Sequence, residues 1–245
     1  MGQGFVNASL IAENYQKVLS RIQQTAQQAG RGHDSVRLVV VTKTHPVETI
    51  RAVLSAGARV LGENYAEDAV PKINAISDYP GIQWHMIGHI QSRKARLVCE
   101  HFDYVHSLDS LKLARLLDRF SGEYGKRLPV LLECNISGES SKSGWPAWRE
   151  EAWSELLPSF SEVASLPNIQ VCGLMTIPPL DINAEEARPY FKKLMRLSEF
   201  LRVNLCSVKW EELSMGMSAD FEVAIQEGAT WVRVGQAIFG PRLNT

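Results

Sequence analysis

The sequence has few cysteines, and their spacing argues against two kinds of stabilising site. Only 4 cysteines occur among 245 residues, and no two of them form a CxxC pair. A structural zinc site or a disulfide framework needs closely and regularly spaced cysteines, so neither is indicated. We therefore expect buried free thiols in a reducing cytoplasm. The four residues are Cys99, Cys134, Cys172 and Cys206.

Long apolar runs and an excess of either charge are also absent. No apolar stretch approaches the roughly 20 residues that a membrane-spanning helix needs. The N-terminal stretch is polar with helical spacing, and it lacks the apolar centre of a secretory signal. The chain has 26 Lys and Arg against 27 Asp and Glu, a formal net charge of −1. We expect a cytoplasmic protein that binds neither nucleic acid nor a membrane surface.

Short apolar segments with the character of buried strands alternate with helical patterns along most of the chain. A helical pattern that stops at Gly30 precedes the first of them. Parallel strands need crossover connections, and the helical patterns between the segments supply them. The strand-like segments occupy residues 37–42, 59–62, 83–87, 103–107, 129–134, 169–175, 211–214 and 231–234.

The number of strand-like segments predicts an α/β fold, a single (β/α)8 TIM barrel with an extra N-terminal helix. We assign residues 1–30 to that helix and residues 37–240 to the barrel. Because no linker or composition break divides the chain, we expect residues 1–245 to form one domain. A doubly wound open sheet is the alternative, since two of the strands are short. In a barrel, the loops that follow the strands would form the functional site.

Lys43 stands just beyond the first strand, in the stretch VVVTKTHP. Its ordinary interpretation is a lysine whose apolar stem runs along the strand end while the ammonium group reaches water. A second interpretation is a lysine whose pKa is lowered by burial and nearby cations, so that the neutral amine can attack an aldehyde. A phosphate site across the same barrel mouth would favour the second interpretation.

Two glycine-containing stretches near the end of the chain are typical of phosphate-binding loops. LSMGMSADF supplies Ser214, Gly216 and Ser218 before a helical pattern, and VRVGQAIFG places Gly235 directly after the last strand. Barrels frequently bind phosphate with the loops after their seventh and eighth strands. Each stretch alone could be a simple glycine turn. Together with Lys43 they favour pyridoxal 5′-phosphate (PLP), an aldehyde that carries a phosphate.

Other polar residues at strand ends have two interpretations each. Asn64 could hydrogen-bond a ring substituent or cap the helix that follows it. Arg233 lies within the last strand and needs a partner, either a pyridine nitrogen or a carboxylate such as Glu133 or Glu212. Met175 is interpreted as the floor of the pocket. The histidines are not spaced as metal ligands, and we predict no metal site.

At this point the residues resemble those of a known family, the YggS/PROSC-type pyridoxal phosphate homeostasis proteins. These proteins have the barrel fold of the alanine racemase N-terminal domain, PLP fold type III, without the C-terminal β-domain of the racemases. The resemblance rests on stretches that occur in order between about residues 37 and 240. They are VVVTKTHP, LGENYAED, WHMIGHIQSRK, HSLDSLKLA, NISGESSKSG, CGLMTIP and LSMGMSADFEVAIQEGATWVRVGQAIFG.

The resemblance implies a role for each candidate residue. Lys43 would carry PLP as a Schiff base, Asn64 would lie beside the ring, and Arg233 would approach the pyridine nitrogen. Gln236 stands where many members have Thr or Ser, so only its backbone donor is available. Arg93 stands where Asn is common, which leaves the role of its loop open. The phosphate would be held, partly through backbone N–H groups, by Ser214, Ser218, Gly235 and Gln236.

Enzyme and carrier functions both have to be weighed, because the racemases of this fold act on amino acids. Racemisation needs a proton-transfer group on each face of the substrate. The racemases take the second group, a tyrosine, from a C-terminal β-domain, which we do not expect in this chain. An arginine at the pyridine nitrogen also makes the ring a weaker electron sink. We favour a non-catalytic carrier that serves PLP homeostasis and the balance of amino and keto acids.

Two alternatives to the carrier remain open. One is a weak PLP-dependent racemase or other amino-acid enzyme with Lys43 as its base. The other is a phosphosugar-binding barrel that uses Lys43 as an aldolase-type lysine, which would not explain the family match. For the carrier we expect a monomer whose partners are PLP and PLP-dependent apoenzymes.

Overall fold

The computed structural model describes residues 7–241, so the first part of the predicted N-terminal segment, residues 1–6, lies outside the described chain. Strands and helices alternate through the described range. The strands are β1 (Arg37–Val41), β2 (Val60–Glu63), β3 (Gln83–Met86), β4 (Tyr104–Leu108), β5 (Leu128–Asn135), β6 (Trp145–Pro146), β7 (Ile169–Met175), β8 (Glu212–Ser214) and β9 (Trp231–Val234). The α-helices are α1 (Ala8–Gln28), α2 (Val47–Ser55), α3 (Ala66–Ala75), α4 (Ala95–His101), α5 (Leu111–Glu123), α6 (Leu157–Ser165), α7 (Ala184–Asn204), α8 (Phe221–Gln226) and α9 (Gln236–Phe239).

The strands close into an eight-stranded parallel barrel. β1 to β5 pair in sequence order, β5 pairs with β7, and β7, β8 and β9 follow. The pairing of β9 with β1 completes the circle. The two-residue strand β6 lies outside the circle, beside the end of β5. The predicted TIM barrel is therefore confirmed, and the open doubly wound sheet is excluded.

Helix α1 covers the outside of the seam between the first and last strands. It begins after Asn7, whose side chain accepts a hydrogen bond from the backbone of Leu10, and it packs on α2, α8 and α9. One stripe of its surface is apolar, as expected for a helix that lies on a barrel. Among residues 7–241, no helix is long and apolar enough to span a membrane. The apolar residues that α1 buries are Ile11, Tyr15, Val18, Ile22 and Ala26.

Two apolar layers form the core. The larger layer lies between the strands and the helices, and a smaller cluster fills the barrel interior. The strands approach so closely that a Cβ at Gly173 would lie 1.8 Å from the carbonyl oxygen of Glu212, so β7 needs glycine there. The interior cluster contains Val39, Val41, Ile87, Tyr104, Leu131, Met175 and Trp231.

The cysteines are free, but they are not all buried. Cys99 and Cys134 are buried and Cys172 is partly buried. Cys206 is exposed, because it lies in the turn that follows α7 on the surface. The expectation of buried thiols is therefore wrong for Cys206.

Candidate functional site

Lys43 lies at the C-terminal end of β1, at the seam where the first and last strands meet. The two strands are paired with Val39 opposite Arg233. Alternate residues of a strand face the same side, and Val39 and Val41 belong to the cluster inside the barrel. Lys43 is the next residue in this alternation, and it is half-buried in the turn after β1. The predicted lysine is thus at the barrel mouth, beside the end of β9.

The two predicted phosphate-binding loops contact each other next to this seam. Ser218 Oγ accepts a hydrogen bond from the backbone N–H of Ala237, in α9, at 3.2 Å. The carbonyl oxygen of Gly216 accepts one from the backbone N–H of Arg233, in β9, at 3.0 Å. The loop after β8 and the loop after β9 therefore form one continuous surface. The predicted residues that it brings together are Gly216, Ser218, Gly235 and Gln236.

Two glycines let these loops approach the neighbouring backbone closely. Gly216 has a φ of 92°, and a Cβ there would lie 2.6 Å from the Cβ of Ala224. Gly235 has a negative φ, but a Cβ there would lie 3.0 Å from the carbonyl oxygen of Val41. A larger residue at Gly216 would push its loop away from α8, and one at Gly235 would push its loop away from the end of β1.

Arg233 is buried inside the barrel and donates to neutral acceptors. Its Nη1 donates to Ser214 Oγ at 2.6 Å, and its Nη2 donates to the carbonyl oxygen of Thr176 at 3.0 Å. Ser214 Oγ also contacts His106 Nδ1 at 2.7 Å, and His106 Nε2 contacts His85 Nδ1 at 2.9 Å. Arg233 and Ser214 thus belong to a hydrogen-bonded row that runs from the mouth into the barrel interior.

The direction of the donors along this row follows from the arginine. A guanidinium has only donors, so Ser214 Oγ accepts from Arg233 and its hydroxyl hydrogen is left for His106 Nδ1. His106 Nε2 then carries a hydrogen and donates it to His85. Burial lowers the pKa of His85 to about 3 and the pKa of His106 well below its usual range, so both rings are neutral. The hydroxyl of Ser214 is therefore engaged in orienting Arg233.

In the part of the chain that the structure describes, no carboxylate forms an ion pair with Arg233. Glu212 pairs instead with Arg37, 2.8 Å away at the other end of the barrel. Glu133 lies near Arg233, but burial and then the charge of Asp109 raise its pKa to about 7. Burial lowers the pKa of Arg233 to about 10, so the guanidinium is still a cation at neutral pH.

Asn64 lies at the end of β2 and does not cap the helix that follows. The N-cap of α3 is Tyr65, and its side chain makes no hydrogen bond to the helix. The capping interpretation of Asn64 is therefore wrong. Its backbone packs against Gly88, where a Cβ would lie 2.4 Å from the Asn64 carbonyl oxygen. Its half-buried side chain follows the end of β2, on the same edge of the barrel as Lys43.

Met175 ends β7 and is fully buried in the interior cluster, a position compatible with the floor of a pocket. Beneath this cluster, Glu212 closes the far end of the barrel. Its carboxylate accepts hydrogen bonds from Tyr104 Oη at 2.8 Å and Trp231 Nε1 at 2.5 Å. Arg37 stacks over the ring of Trp231, with its Cζ 3.7 Å from the ring centroid.

A buried ion pair just outside the end of β1 was not predicted from the sequence. Lys72 Nζ, in α3, lies 2.9 Å from Glu63 Oε1 and 3.0 Å from the carbonyl oxygen of Thr42. Thr42 Oγ1 donates to the same carboxylate oxygen at 2.6 Å. One sequence signal could have indicated it. Lys72 continues the buried helix face of Ala66 and Ala69 at a spacing of three residues.

Cavities lie at both ends of the barrel. One of about 280 Å³ at the mouth is lined by residues that include His89, Asp109 and Ser143. The Asp109 and Ser143 contacts both reach His89 Nδ1, so the three do not form a nucleophile–base–acid arrangement. A cavity of about 390 Å³ at the far end is lined by residues that include Arg127 and Lys209, and it contains no predicted site residue. Cavity size alone therefore does not mark the site.

A parallel barrel with this seam, lysine and buried arginine belongs to the class of the alanine racemase N-terminal domain. The sequence profile described as "Alanine racemase, N-terminal domain" matches residues 13–242. An alanine racemase of Clostridium difficile 630 has the same fold, with a TM-score of 0.65 at 15% identity over 95% of this chain and 58% of its own. That likeness shows the fold alone.

Curated relatives define the family more narrowly. The pyridoxal phosphate homeostasis protein of Pseudomonas aeruginosa is 44% identical over 235 residues, 96% of each chain. That of Escherichia coli K12 is 39% identical over 95% of this chain and 97% of its own. PipY of Synechococcus elongatus PCC7942, at 37% identity, gives a TM-score of 0.79 without PLP over 91% of this chain and all of its own. The structure of PipY with PLP bound gives a TM-score of 0.77 over 89% of this chain and all of its own. The chain belongs to the pyridoxal phosphate homeostasis protein family, as its sequence motifs indicated.

Proposed function

We propose that this protein binds PLP reversibly as a Schiff base on Lys43 and serves PLP homeostasis. The observation that carries the proposal is the position of Lys43 at the β1–β9 seam, next to the loops of residues 214–218 and 235–237. An amine for the aldehyde and donors for the phosphate thereby lie at one end of the barrel. The names of the relatives and the PLP-bound structure of PipY support the same ligand.

The residues at the seam fit a phosphate-bearing aldehyde. Ser218 Oγ accepts a hydrogen bond from the Ala237 backbone N–H, so its hydroxyl hydrogen is left to donate to a phosphate between the two loops. Gly216 and Gly235 let the two loops lie close against α8 and the end of β1. Gln236 would add its backbone N–H. Asn64 would lie beside the ring and Met175 beneath it.

Arg233 weighs against PLP chemistry that needs a strong electron sink, although racemases of this fold tolerate such an arginine. When bound, PLP supplies an aldehyde that forms C=N bonds with amines. Arg233 would face the pyridine nitrogen, fixed in orientation by Ser214 and His106. A guanidinium cannot accept a proton, so the nitrogen beside it stays unprotonated and the ring withdraws electrons weakly. The site therefore suits holding and releasing the aldehyde better than breaking bonds of a substrate.

The carrier would act as one unit of residues 1–245, as a monomer in the cytoplasm, without nucleic acid or membrane. Its partners would be PLP and the PLP-dependent apoenzymes that receive it. Because free aldehyde reacts with amines, a protein that limits it would also affect the balance of amino and keto acids.

A weak amino-acid racemase is the second candidate function. The observation that favours it is Tyr65, which is 59% exposed beside Asn64 and would serve as the second proton-transfer group. Hydrogen exchange at the α-carbon of alanine, followed by NMR in D2O with PLP bound, tests this function. Exchange that disappears in Lys43→Ala would favour the racemase, and undetectable exchange would favour the carrier.

The first test of PLP binding is the visible absorption spectrum before and after borohydride reduction, followed by peptide mass mapping. We expect a visible band that reduction removes and a pyridoxyl adduct on Lys43. Lys43→Ala should lose both, whereas the exposed Lys112→Ala should keep both. Ser218→Ala should retain PLP more weakly while the adduct still forms. A wild-type protein that takes up no PLP would contradict the proposal.

A further inference from the structure

Lys43 and Thr44 are the two central residues of a tight turn that follows β1. The turn is closed by the backbone N–H of His45, which donates to the carbonyl oxygen of Thr42 at 3.1 Å. Thr44 has a φ of 65°, in the left-handed region where glycine is normal and a β-branched residue is strained. Such a conformation persists only where the surrounding structure enforces it.

Helix α3 holds this turn from outside the barrel. Lys72 Nζ donates to the same Thr42 carbonyl oxygen at 3.0 Å and lies 2.9 Å from Glu63 Oε1. Glu63 Oε1 also accepts the hydroxyl of Thr42 at 2.6 Å. The side chains of Lys72 and Glu63 are 12% and 1% exposed, so the ion pair is shielded from water. Thr42 is thereby fixed through both its carbonyl oxygen and its hydroxyl.

Stability alone does not account for this ion pair. Removing two charges from water is costly, and their attraction seldom exceeds that cost by much. The second carboxylate oxygen of Glu63 is buried and has no hydrogen-bond partner among residues 7–241, which adds to the cost. An apolar pair of similar volume would pack between β2 and α3 without the cost of burying two charges. Such an apolar pair would not supply a hydrogen-bond donor to the carbonyl oxygen of Thr42, as Lys72 does.

We propose that Lys72, with Glu63 as its counter-ion, is a positioning residue that holds the strained turn and keeps the Lys43 amine at the mouth. The inference rests on the proposed function, because that function gives the orientation of Lys43 its purpose. The phosphate loops are fixed to β9 and α9, so an aldehyde held there meets the amine only over a narrow range of positions. Without Lys72, the strain at Thr44 would favour other conformations of the turn.

The test uses Lys72→Met, which keeps an unbranched apolar stem and removes the donor. Hydrogen–deuterium exchange at the His45 amide measures the turn without PLP. PLP retention and the borohydride-trapped adduct on Lys43 measure the site. In Lys72→Met we expect the His45 amide to exchange about tenfold faster than in wild type and PLP to be retained about tenfold more weakly. Thr44→Gly in the Lys72→Met chain removes the strain and should recover most of both losses.

Two further variants separate positioning from a general loss of structure. Lys94→Met is the matched control, because Lys94, just before α4, pairs with Glu67 of α3 and not with Glu63. It should change neither readout. Lys72→Met leaves Glu63 as a buried charge without its counter-ion, which could prevent folding. Glu63→Gln together with Lys72→Met removes both charges and should show the same two losses in a folded protein.

The outcomes distinguish this inference from the proposed function. A wild-type protein without an adduct on Lys43 would refute the proposed function, while exchange at His45 would still decide whether Lys72 holds the turn. A wild-type adduct, with exchange and retention both unchanged in Lys72→Met, would overturn the positioning role and leave the proposed function standing. A folded Lys72→Met protein that Thr44→Gly does not rescue would overturn it as well.

Discussion

Replacing Glu133 by glutamine is expected to stabilise the protein above neutral pH. Glu133 is partly buried near the mouth, and within residues 7–241 no hydrogen-bond donor contacts its carboxylate. Burial and then the charge of Asp109 raise its pKa from 4.5 to about 7. The folded protein therefore keeps a proton on Glu133 after the unfolded chain has lost it. The free energy of unfolding accordingly falls as the pH rises from about 4.5 to about 7.

The magnitude follows from the two pKa values. A difference between 4.5 and about 7 corresponds to about 3 kcal/mol, at ~1.4 kcal/mol per pH unit. Glutamine keeps the shape of the protonated side chain and cannot ionise. The free energy of unfolding of Glu133→Gln should therefore exceed that of wild type by up to about 3 kcal/mol at about pH 8. At about pH 4.5 the two should differ little. The corresponding rise in Tm at the higher pH is about 6 to 12 °C.

The assay is equilibrium unfolding in urea at several pH values, with the variant compared to wild type at each pH. The difference isolates Glu133, because other groups with shifted pKa values act in both proteins. Glu155→Gln is the matched control, since Glu155 is exposed. It should change the free energy of unfolding by less than about 0.5 kcal/mol at every pH. A variant that is less stable than wild type at about pH 8 would refute the reasoning. It would mean that Arg233 stabilises the ionised carboxylate of Glu133 by more than burial destabilises it.

Three further predictions address packing, thiol exposure and acid stability. Gly173→Ala should lose about 3 kcal/mol or more in urea unfolding, because its Cβ would lie 1.8 Å from a backbone oxygen, while Gly32→Ala has open space and should change little. A thiol reagent should modify Cys206 first in the native protein, and Cys206→Ser should remove that fast phase. The free energy of unfolding should fall as the pH drops from 6.5 towards 3, because His85 binds a proton in the unfolded chain but not when its ring is buried. In a pH series of urea unfolding, His85→Gln should show a smaller fall over this range.

The strand positions could be predicted from the sequence because each buried strand is a short apolar run between turn-forming residues. The long strand at residues 169–175 was predicted with both of its ends correct. The short strand at residues 145–146 was not predicted, since two residues carry no periodicity. The position of Lys43 at the mouth could be predicted once the fold was known. In a parallel barrel the C-terminal ends of all strands lie at the same end, and Lys43 follows the C-terminal end of β1.

Contacts across the barrel could not be predicted in the same way. The hydroxyl of Ser214 reaches His106, 108 positions earlier in the sequence, and this depends on the relative register of strands that are not neighbours. The sequence could suggest a phosphate role for Ser214 but not its engagement with Arg233. The ion pair of Lys72 could not be predicted, because the sequence does not show that one face of α3 packs against the end of β1. Capping of α3 by Asn64 was wrong because the chain turns one residue later, at Tyr65.

The seam between the first and last strands also has a consequence during translation. Lys43 leaves the ribosome long before the loops with Ser218 and Gly235 are made. β1 cannot pair with β9 until β9 has been synthesised. A nascent chain therefore has the amine without the phosphate loops, and its reaction with an aldehyde would be no more selective than that of any exposed lysine. Retention of PLP by the proposed site would begin only with the finished barrel, so the cofactor would distinguish completed molecules from unfinished ones.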